Sequence, residues 1–217
     1  MRKQTIKTAL KCVSNQASTE SERKETLFRV GFEVGGNLLN KVWQPNKAML
    51  KEIDTYFNRY FKGNIVIGLQ LRYGDNRPKQ IYLDEKKDTK KFIECALEIE
   101  QVYLNKNISS IKWFIASDRE SNALKILNDY PDKTFITKGS LSHIEYSTNG
   151  LMRTILDNQL LSMCNEIVVT GGSTFGWVAA MKMQKLPFYI NGFTDMRNCL
   201  RATLSDPPRI PSGYSTF

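Results

Sequence analysis

The strongest constraint on the fold is a short apolar run, Ile65-Val-Ile-Gly-Leu-Gln-Leu71, which is bounded by Gly63 and Gly74. A run of this length, rich in β-branched residues, is typical of a buried strand. Near-continuous apolar strands belong to parallel sheets that are covered by helices on both faces. The run therefore predicts an α/β fold.

Polar side chains gather where this strand ends, namely Gln70, Arg72 and Asp75. The carboxyl ends of strands are where open α/β sheets bind their ligands. An Arg side chain there suits a phosphate group, because its planar fork donates two parallel charge-assisted hydrogen bonds. Taken alone, the stretch is explained equally well by a surface ion pair between Arg72 and Asp75.

The rest of the chain alternates between helical and strand patterns. Apolar runs predict five strands, at 65–72, 111–116, 134–136, 166–170 and 187–190. Amphipathic patterns predict a helix before the first strand and between successive strands. Strands interleaved with helices indicate one Rossmann-like, doubly wound, mainly parallel α/β domain.

A second phosphate-binding pattern follows the strand at 166–170. Gly171-Gly-Ser-Thr-Phe-Gly176 joins this strand to an Ala-rich helix. Free backbone N–H groups and the helix dipole at such a junction favour an anion, and Ser173 and Thr174 add hydroxyl donors or an N-cap. The pattern is neither a Walker loop nor a GxGxxG fingerprint.

Two acids complete the set of candidate residues. Asp118 ends the second strand, and Asp157 lies on the helix at 151–163, on a face that is either solvated or lines a cleft. Groups suited to phosphate together with acids suited to ribose hydroxyls or a base suggest a nucleoside diphosphate. The formal charge of +9 also favours anionic ligands, but does not separate a nucleotide from nucleic acid or anionic lipid.

The four cysteines are scattered and form no CxxC pair, which argues against a zinc site. Cys95 and Cys164 lie in apolar helical patterns and are expected to be buried thiols. The single histidine, His143, lies in a Gly/Ser-rich loop and is expected to be a surface residue. No window holds the roughly 18 apolar residues of a membrane helix, and no signal peptide is visible.

Three segments resemble, in order, the motifs of the fucosyltransferase superfamily that includes the α1,6-, α1,2- and protein O-fucosyltransferases. These segments are Ile67–Asp75, Phe114–Asp118 and Ile155–Gly176. The plant xyloglucan fucosyltransferase type is the best match, because residues 40–46 and Cys199-Leu-Arg-Ala202 also fit it. The resemblance spans about residues 31–206, between a polar lead-in at 1–30 and an irregular tail at 207–217.

This resemblance implies the C-terminal, GDP-fucose-binding half of a GT-B enzyme that transfers fucose to a glycan with inversion and without a metal. Arg72 matches the residue that binds the β-phosphate and stabilises the departing GDP. By the same resemblance, Asp157 is expected to contact the guanine. Ser173, Thr174 and Phe175 are expected to contact the phosphates. Asp75 and Asp118 are expected to orient Arg72 and nearby loops. Gln70 stands where many relatives have a histidine near the guanine.

The expected partners are GDP-fucose and a glycan acceptor. An N-terminal half with the acceptor groove, the usual membrane anchor and any general base is expected to be missing, and the family implies the Golgi. Tyr73 departs from relatives that carry a second arginine. Two other interpretations stay open: a non-catalytic nucleotide-sugar-binding protein, and a basic RNA-binding or structural domain. The latter ranks last, because no Lys/Arg run alternates with aromatic residues.

Overall fold

The computed structural model describes residues 19–74, 83–139, 148–192 and 199–203, and its sheet has six strands in these ranges. The strands are β1 Ile65–Leu71, β2 Ile111–Ser117, β3 Thr134–Phe135, β4 Glu166–Thr170, β5 Phe188–Ile190 and β6 Leu200–Arg201. They lie in the order β3-β2-β1-β4-β5-β6, and every neighbouring pair is parallel except β5 and β6. The predicted Rossmann-like class is confirmed.

Six α-helices connect or flank these strands in the described residues. They are α1 Glu20–Val42, α2 Lys47–Tyr56, α3 Asp88–Leu104, α4 Glu120–Asp129, α5 Thr148–Ser162 and α6 Thr174–Met183. Helix α2 continues into a π-helical turn, Phe57–Phe61. Helix α1 runs through residue 30, so the suggested end of the lead-in does not coincide with the end of an element. None of these helices is both long enough and apolar enough to cross a membrane.

The sheet is buried on both faces, which explains the near-continuous apolar pattern of β1. Val66 faces a cluster that α1, α2, α5 and α6 complete, whereas Ile67 and Leu69 face a second cluster with α3 and α4. At Gly68 a Cβ would press against the side chains of Leu161 and Cys164. The missing side chain thus lets the end of α5 lie directly on the sheet.

Helix α1 packs on α6 through two glycines. A Cβ at Gly35 or Gly36 would collide with Met181, in the latter case with its backbone. The contact is completed by Asn40, whose Nδ2 donates to the carbonyl oxygen of Lys182 at 2.8 Å. Close backbone approach at the glycines therefore acts together with edge-to-face packing of Phe28 and Phe32 on Trp177 to hold this helix pair.

One cysteine prediction is wrong. Cys95 on α3 forms a disulfide with Cys199, which directly precedes β6. The pairing could not be read from spacing because 104 residues separate the two cysteines, and only the folded sheet brings β6 beside α3. Cys164 is a buried free thiol, as predicted.

Candidate functional site

The strand order places a topological switch point between β1 and β4, where open α/β sheets form a crevice at the carboxyl edge. From β1 the chain moves outward through β2 to β3, and it then crosses back to place β4 on the other side of β1. Loops that leave β1 and β4 therefore run to opposite faces, and in doubly wound sheets ligands bind at this point. Arg72 directly follows β1, and the turn Gly171–Ser173 directly follows β4.

Arg72 is held at this edge by Asp118, which follows β2. The Nη1 atom of Arg72 lies 3.1 Å from Asp118 Oδ2, and the two side chains are 31% and 16% exposed. The same carboxylate accepts the backbone N–H groups of Tyr73 at 2.9 Å and Gly74 at 3.0 Å. Asp118 thus ties together the ends of two strands and orients the guanidinium group.

The turn after β4 leads into the first turn of α6. Gly172 adopts φ +77°, and a Cβ at Gly171 would collide with the side chain of Asn191, so both positions favour glycine. Ser173 is the N-cap and is 5% exposed, yet its hydroxyl makes no capping hydrogen bond to the helix. Thr174 is exposed at the first helical position. The first-turn amides of α6 therefore lie beside two hydroxyl groups at the crevice.

Phe175 has a packing role in this structure. Its ring packs against the core cluster between the sheet and helices α1, α2, α5 and α6, and its carbonyl oxygen accepts a hydrogen bond from Asn158 Nδ2 at 2.9 Å. These contacts anchor the N-terminal turn of α6 to α5.

Gln70 points inward, away from the open edge. It is 3% exposed, its Oε1 accepts the backbone N–H of Thr170 at 3.2 Å, and it lies where a Cβ on Gly176 would otherwise project. The side chain of Gln70 therefore packs between its own strand β1, the neighbouring strand β4 and helix α6. A contact between Gln70 and guanine stays a prediction, and Asp75, like His143, lies outside the described residues.

Asp157 belongs to a buried polar cluster at the end of β3, two strands away from β1. Its Oδ1 accepts the Thr137 hydroxyl at 2.5 Å, and its Oδ2 lies 3.9 Å from Arg153 Nε. Burial raises the pKa of Asp157 to about 7, although the Thr137 hydrogen bond and the Arg153 charge oppose this shift. Arg153 also donates to the Thr137 hydroxyl at 3.1 Å and to the carbonyl oxygen of Gly139.

Sequence reasoning missed three of these residues: Thr137, Arg153 and Thr170. Arg153 lies one helical turn before Asp157, so the i,i+4 spacing was a usable signal. Thr137 and Thr170 gave no local signal, because both act through contacts with distant segments. Among the described residues, no group of three or more His, Cys, Asp or Glu side chains is arranged to hold a metal ion.

Comparisons with known proteins agree with this architecture. No family model and no curated protein matches the chain. Among solved structures, the fucosyltransferase NodZ from Bradyrhizobium aligns with 72% of this chain and 47% of its own, at 17% identity and a TM-score of 0.50. A mutant of Arabidopsis thaliana FUT1 in complex with GDP aligns with 85% of this chain and 42% of its own, at 17% identity and a TM-score of 0.56.

The chain thus spans less than half the length of either structure. At 17% identity the likeness establishes the fold. The resemblance to fucosyltransferases that the three motifs predict is confirmed at that level: this chain has the fold of one part of these enzymes.

Proposed function

We propose that this chain is the donor-binding part of a glycosyltransferase that transfers fucose from GDP-fucose to a glycan acceptor with inversion. The observation that carries the proposal is the position of Arg72. It lies at the switch point of the sheet, is oriented by Asp118 at 3.1 Å, and is flanked by the turn that opens α6. A positive fork and a helix N-terminus on either side of one crevice suit a diphosphate.

In this proposal Arg72 binds the β-phosphate and stabilises the negative charge that develops as GDP departs. Fixed donors aimed at a developing charge are an effective source of catalysis, because they need no reorganisation during the reaction. Ser173, Thr174 and the first-turn amides of α6 bind the remaining phosphate oxygens. No metal ion takes part, so we expect EDTA to leave GDP binding unchanged.

In this proposal the guanine base lies on the β3 side of the crevice, toward Asp157. Strands β3 and β1 are two positions apart, so the Asp157 cluster and Arg72 are offset by roughly 10 Å across the sheet. This offset suits a ligand with a base at one end and a diphosphate at the other. An ionised Asp157 would accept the guanine N1 and N2 hydrogens, whereas Asp75 is assigned to orient Arg72 and the nearby loops.

The first test is thermal stabilisation by nucleotides. We expect GDP to raise the melting temperature of the chain more than ADP does, because only guanine offers the paired donors that an acid reads. Arg72→Ala should abolish the GDP shift. Equal shifts with both nucleotides, or a full shift in Arg72→Ala, would contradict the proposal.

Arg201→Ala is the matched control for this test. Arg201 lies in β6, and its side chain is 38% exposed, close to the 31% of Arg72. Its guanidinium group lies 2.8 Å from Glu166 at the amino end of β4, which is the opposite edge of the sheet from Arg72. Its loss should lower the melting temperature and preserve the GDP shift.

Transfer is tested separately from binding. Adding GDP-fucose and a galactose-terminated acceptor should release GDP if the chain is catalytically complete. Bound GDP without release would favour a nucleotide-sugar-binding protein or a chain that needs another acceptor-binding part. Salt-sensitive RNA binding that survives Arg72→Ala would instead favour the nucleic-acid interpretation.

We further propose that the protein works in the Golgi lumen, as the resemblance implies. The Cys95–Cys199 disulfide supports this compartment, since disulfides persist in oxidising environments and are rare in the cytosol.

A further inference from the structure

The ladder between β1 and β4 ends just before the site, and side chains continue it. Gln70 and Val169 are the last paired residues of the two strands. One residue further on, the Thr170 hydroxyl donates to the carbonyl oxygen of Gln70 at 3.0 Å and accepts the backbone N–H of Arg72 at 2.8 Å. A hydroxyl has only one proton to donate, so donating to Gln70 while accepting from Arg72 fixes the orientation of the Thr170 O–H bond.

The side chain of Gln70 forms a further hydrogen bond with Thr170. Its Oε1 accepts the backbone N–H of Thr170 at 3.2 Å, so three hydrogen bonds link Gln70, Thr170 and Arg72 across the two strands. Thr170 is 0% exposed and Gln70 is 3% exposed. Because both side chains are shielded from water, the loss of one of these bonds costs more than the loss of a solvent-exposed hydrogen bond.

Helix α6 rests on the same pair. A Cβ on Gly176 would lie 2.7 Å from both Gln70 Oε1 and the Val169 side chain, so the glycine lets the first turn of α6 sit directly on Gln70. The backbone of Arg72 and the N-terminus of α6 therefore both contact one buried unit, which we call the Gln70–Thr170 pair.

We propose that the Gln70–Thr170 pair is a positioning device that sets Arg72 against the N-terminal turn of α6, with the Thr170 hydroxyl as its central contact. The inference rests on the proposed function, since it concerns how the two diphosphate-binding groups are held at a common distance. Neither residue touches the ligand in this scheme. Both act through Arg72 and α6, and for Gln70 this replaces direct contact with guanine.

The test compares Thr170→Val with Thr170→Ser. Valine has nearly the shape of threonine but removes the hydroxyl that the Arg72 N–H and the Gln70 carbonyl contact, whereas serine keeps it. In calorimetric titrations we expect Thr170→Val to weaken GDP binding about tenfold or more, because a displaced arginine loses charge-assisted bonds to phosphate. Thr170→Ser should stay within about threefold of the unsubstituted chain.

Thr134→Val is the matched control. Thr134 is also a buried strand threonine, and its hydroxyl donates to the Tyr130 carbonyl oxygen at 2.7 Å, but it lies in β3 at the edge of the sheet. This variant should lose stability and keep its affinity for GDP. If Thr170→Val binds GDP as tightly as the unsubstituted chain does, the positioning role is overturned.

A second measurement needs no nucleotide. Hydrogen exchange of the Arg72 backbone amide, followed by NMR, should be faster in Thr170→Val and unchanged in Thr170→Ser and Thr134→Val. An unchanged exchange rate in Thr170→Val would overturn the inference even if GDP binds. If the unsubstituted chain fails to bind GDP, the proposed function falls, and the exchange rates still decide whether Thr170 holds Arg72.

Discussion

At the scale of single residues, the balance of charge around Asp157 is the feature with the clearest measurable effect. Asp157 is 4% exposed, and its pKa of about 7 reflects burial that the Thr137 hydroxyl and Arg153 only partly offset. The group therefore changes charge near neutral pH, where most carboxyl groups are ionised.

This raised pKa predicts a stability profile. The ordinary pKa of 3.8 applies to the unfolded chain, so between about pH 4 and 7 the folded state holds a proton that the unfolded state has lost. The free energy of unfolding should therefore fall as pH rises through this window, by on the order of 4 kcal/mol relative to Asp157→Asn, which cannot titrate. Denaturant unfolding of both proteins from pH 4 to 8 measures the difference, and parallel profiles would contradict it.

The same residue scale shows what a sequence pattern can and cannot predict about a site. Arg72 was predictable because it follows a buried strand. Gln70 lies two residues before Arg72 and so is also a polar residue near the end of the same strand. It is still paired within the sheet, however, and α6 covers its side chain. Whether a polar residue near a strand end faces a ligand or the interior depends on which helix covers it, and that is a property of the tertiary structure.

At the scale of elements, the strands were well predicted and the first helix was not. The five predicted strands, β1 to β5, begin and end within one residue of their predicted bounds. In β1, β2 and β4, burial on both faces makes the apolar runs continuous. Helix α1 begins in a polar segment that gives no amphipathic signal. Its start is marked by a capping box, in which Thr19 and Glu22 exchange side-chain hydrogen bonds with each other's backbone N–H groups. The T-x-x-E spacing is a recognisable signature of a helix start.

The contact between α1 and α6 predicts opposite effects for two glycines on one helix. Gly36→Ala would push a methyl group into the Met181 backbone and should lower the free energy of unfolding by about 1–3 kcal/mol. Gly31→Ala meets open space and should raise it by roughly 0.5–1 kcal/mol, because alanine favours the helix. Chemical denaturation measures both variants, and two changes of the same sign would refute this account of the helix pair.

At the scale of the whole molecule, the Cys95–Cys199 disulfide links α3 to the edge of the sheet. A double variant, Cys95→Ser with Cys199→Ser, should lower the free energy of unfolding by roughly 2–5 kcal/mol, because the unfolded chain regains the entropy of a long open loop. Dithiothreitol should reproduce this loss in the unsubstituted chain.

Cys164→Ala is the control for the disulfide prediction. Cys164 is a free buried thiol, so this variant should lose some packing energy and keep its full sensitivity to dithiothreitol. If the unsubstituted chain unfolds at the same denaturant concentration with and without reductant, the disulfide does not stabilise the fold.

The disulfide also makes most of the sheet part of one covalent ring. The stretch from Cys95 to Cys199 contains β2 to β5 and helices α4 to α6, including the turn at Ser173 and the Asp157 cluster. A single peptide-bond cleavage anywhere inside this ring leaves the two fragments joined, and they separate only when the disulfide is reduced. The two strand ends that carry Arg72 and Ser173 therefore stay tethered to each other in a nicked protein.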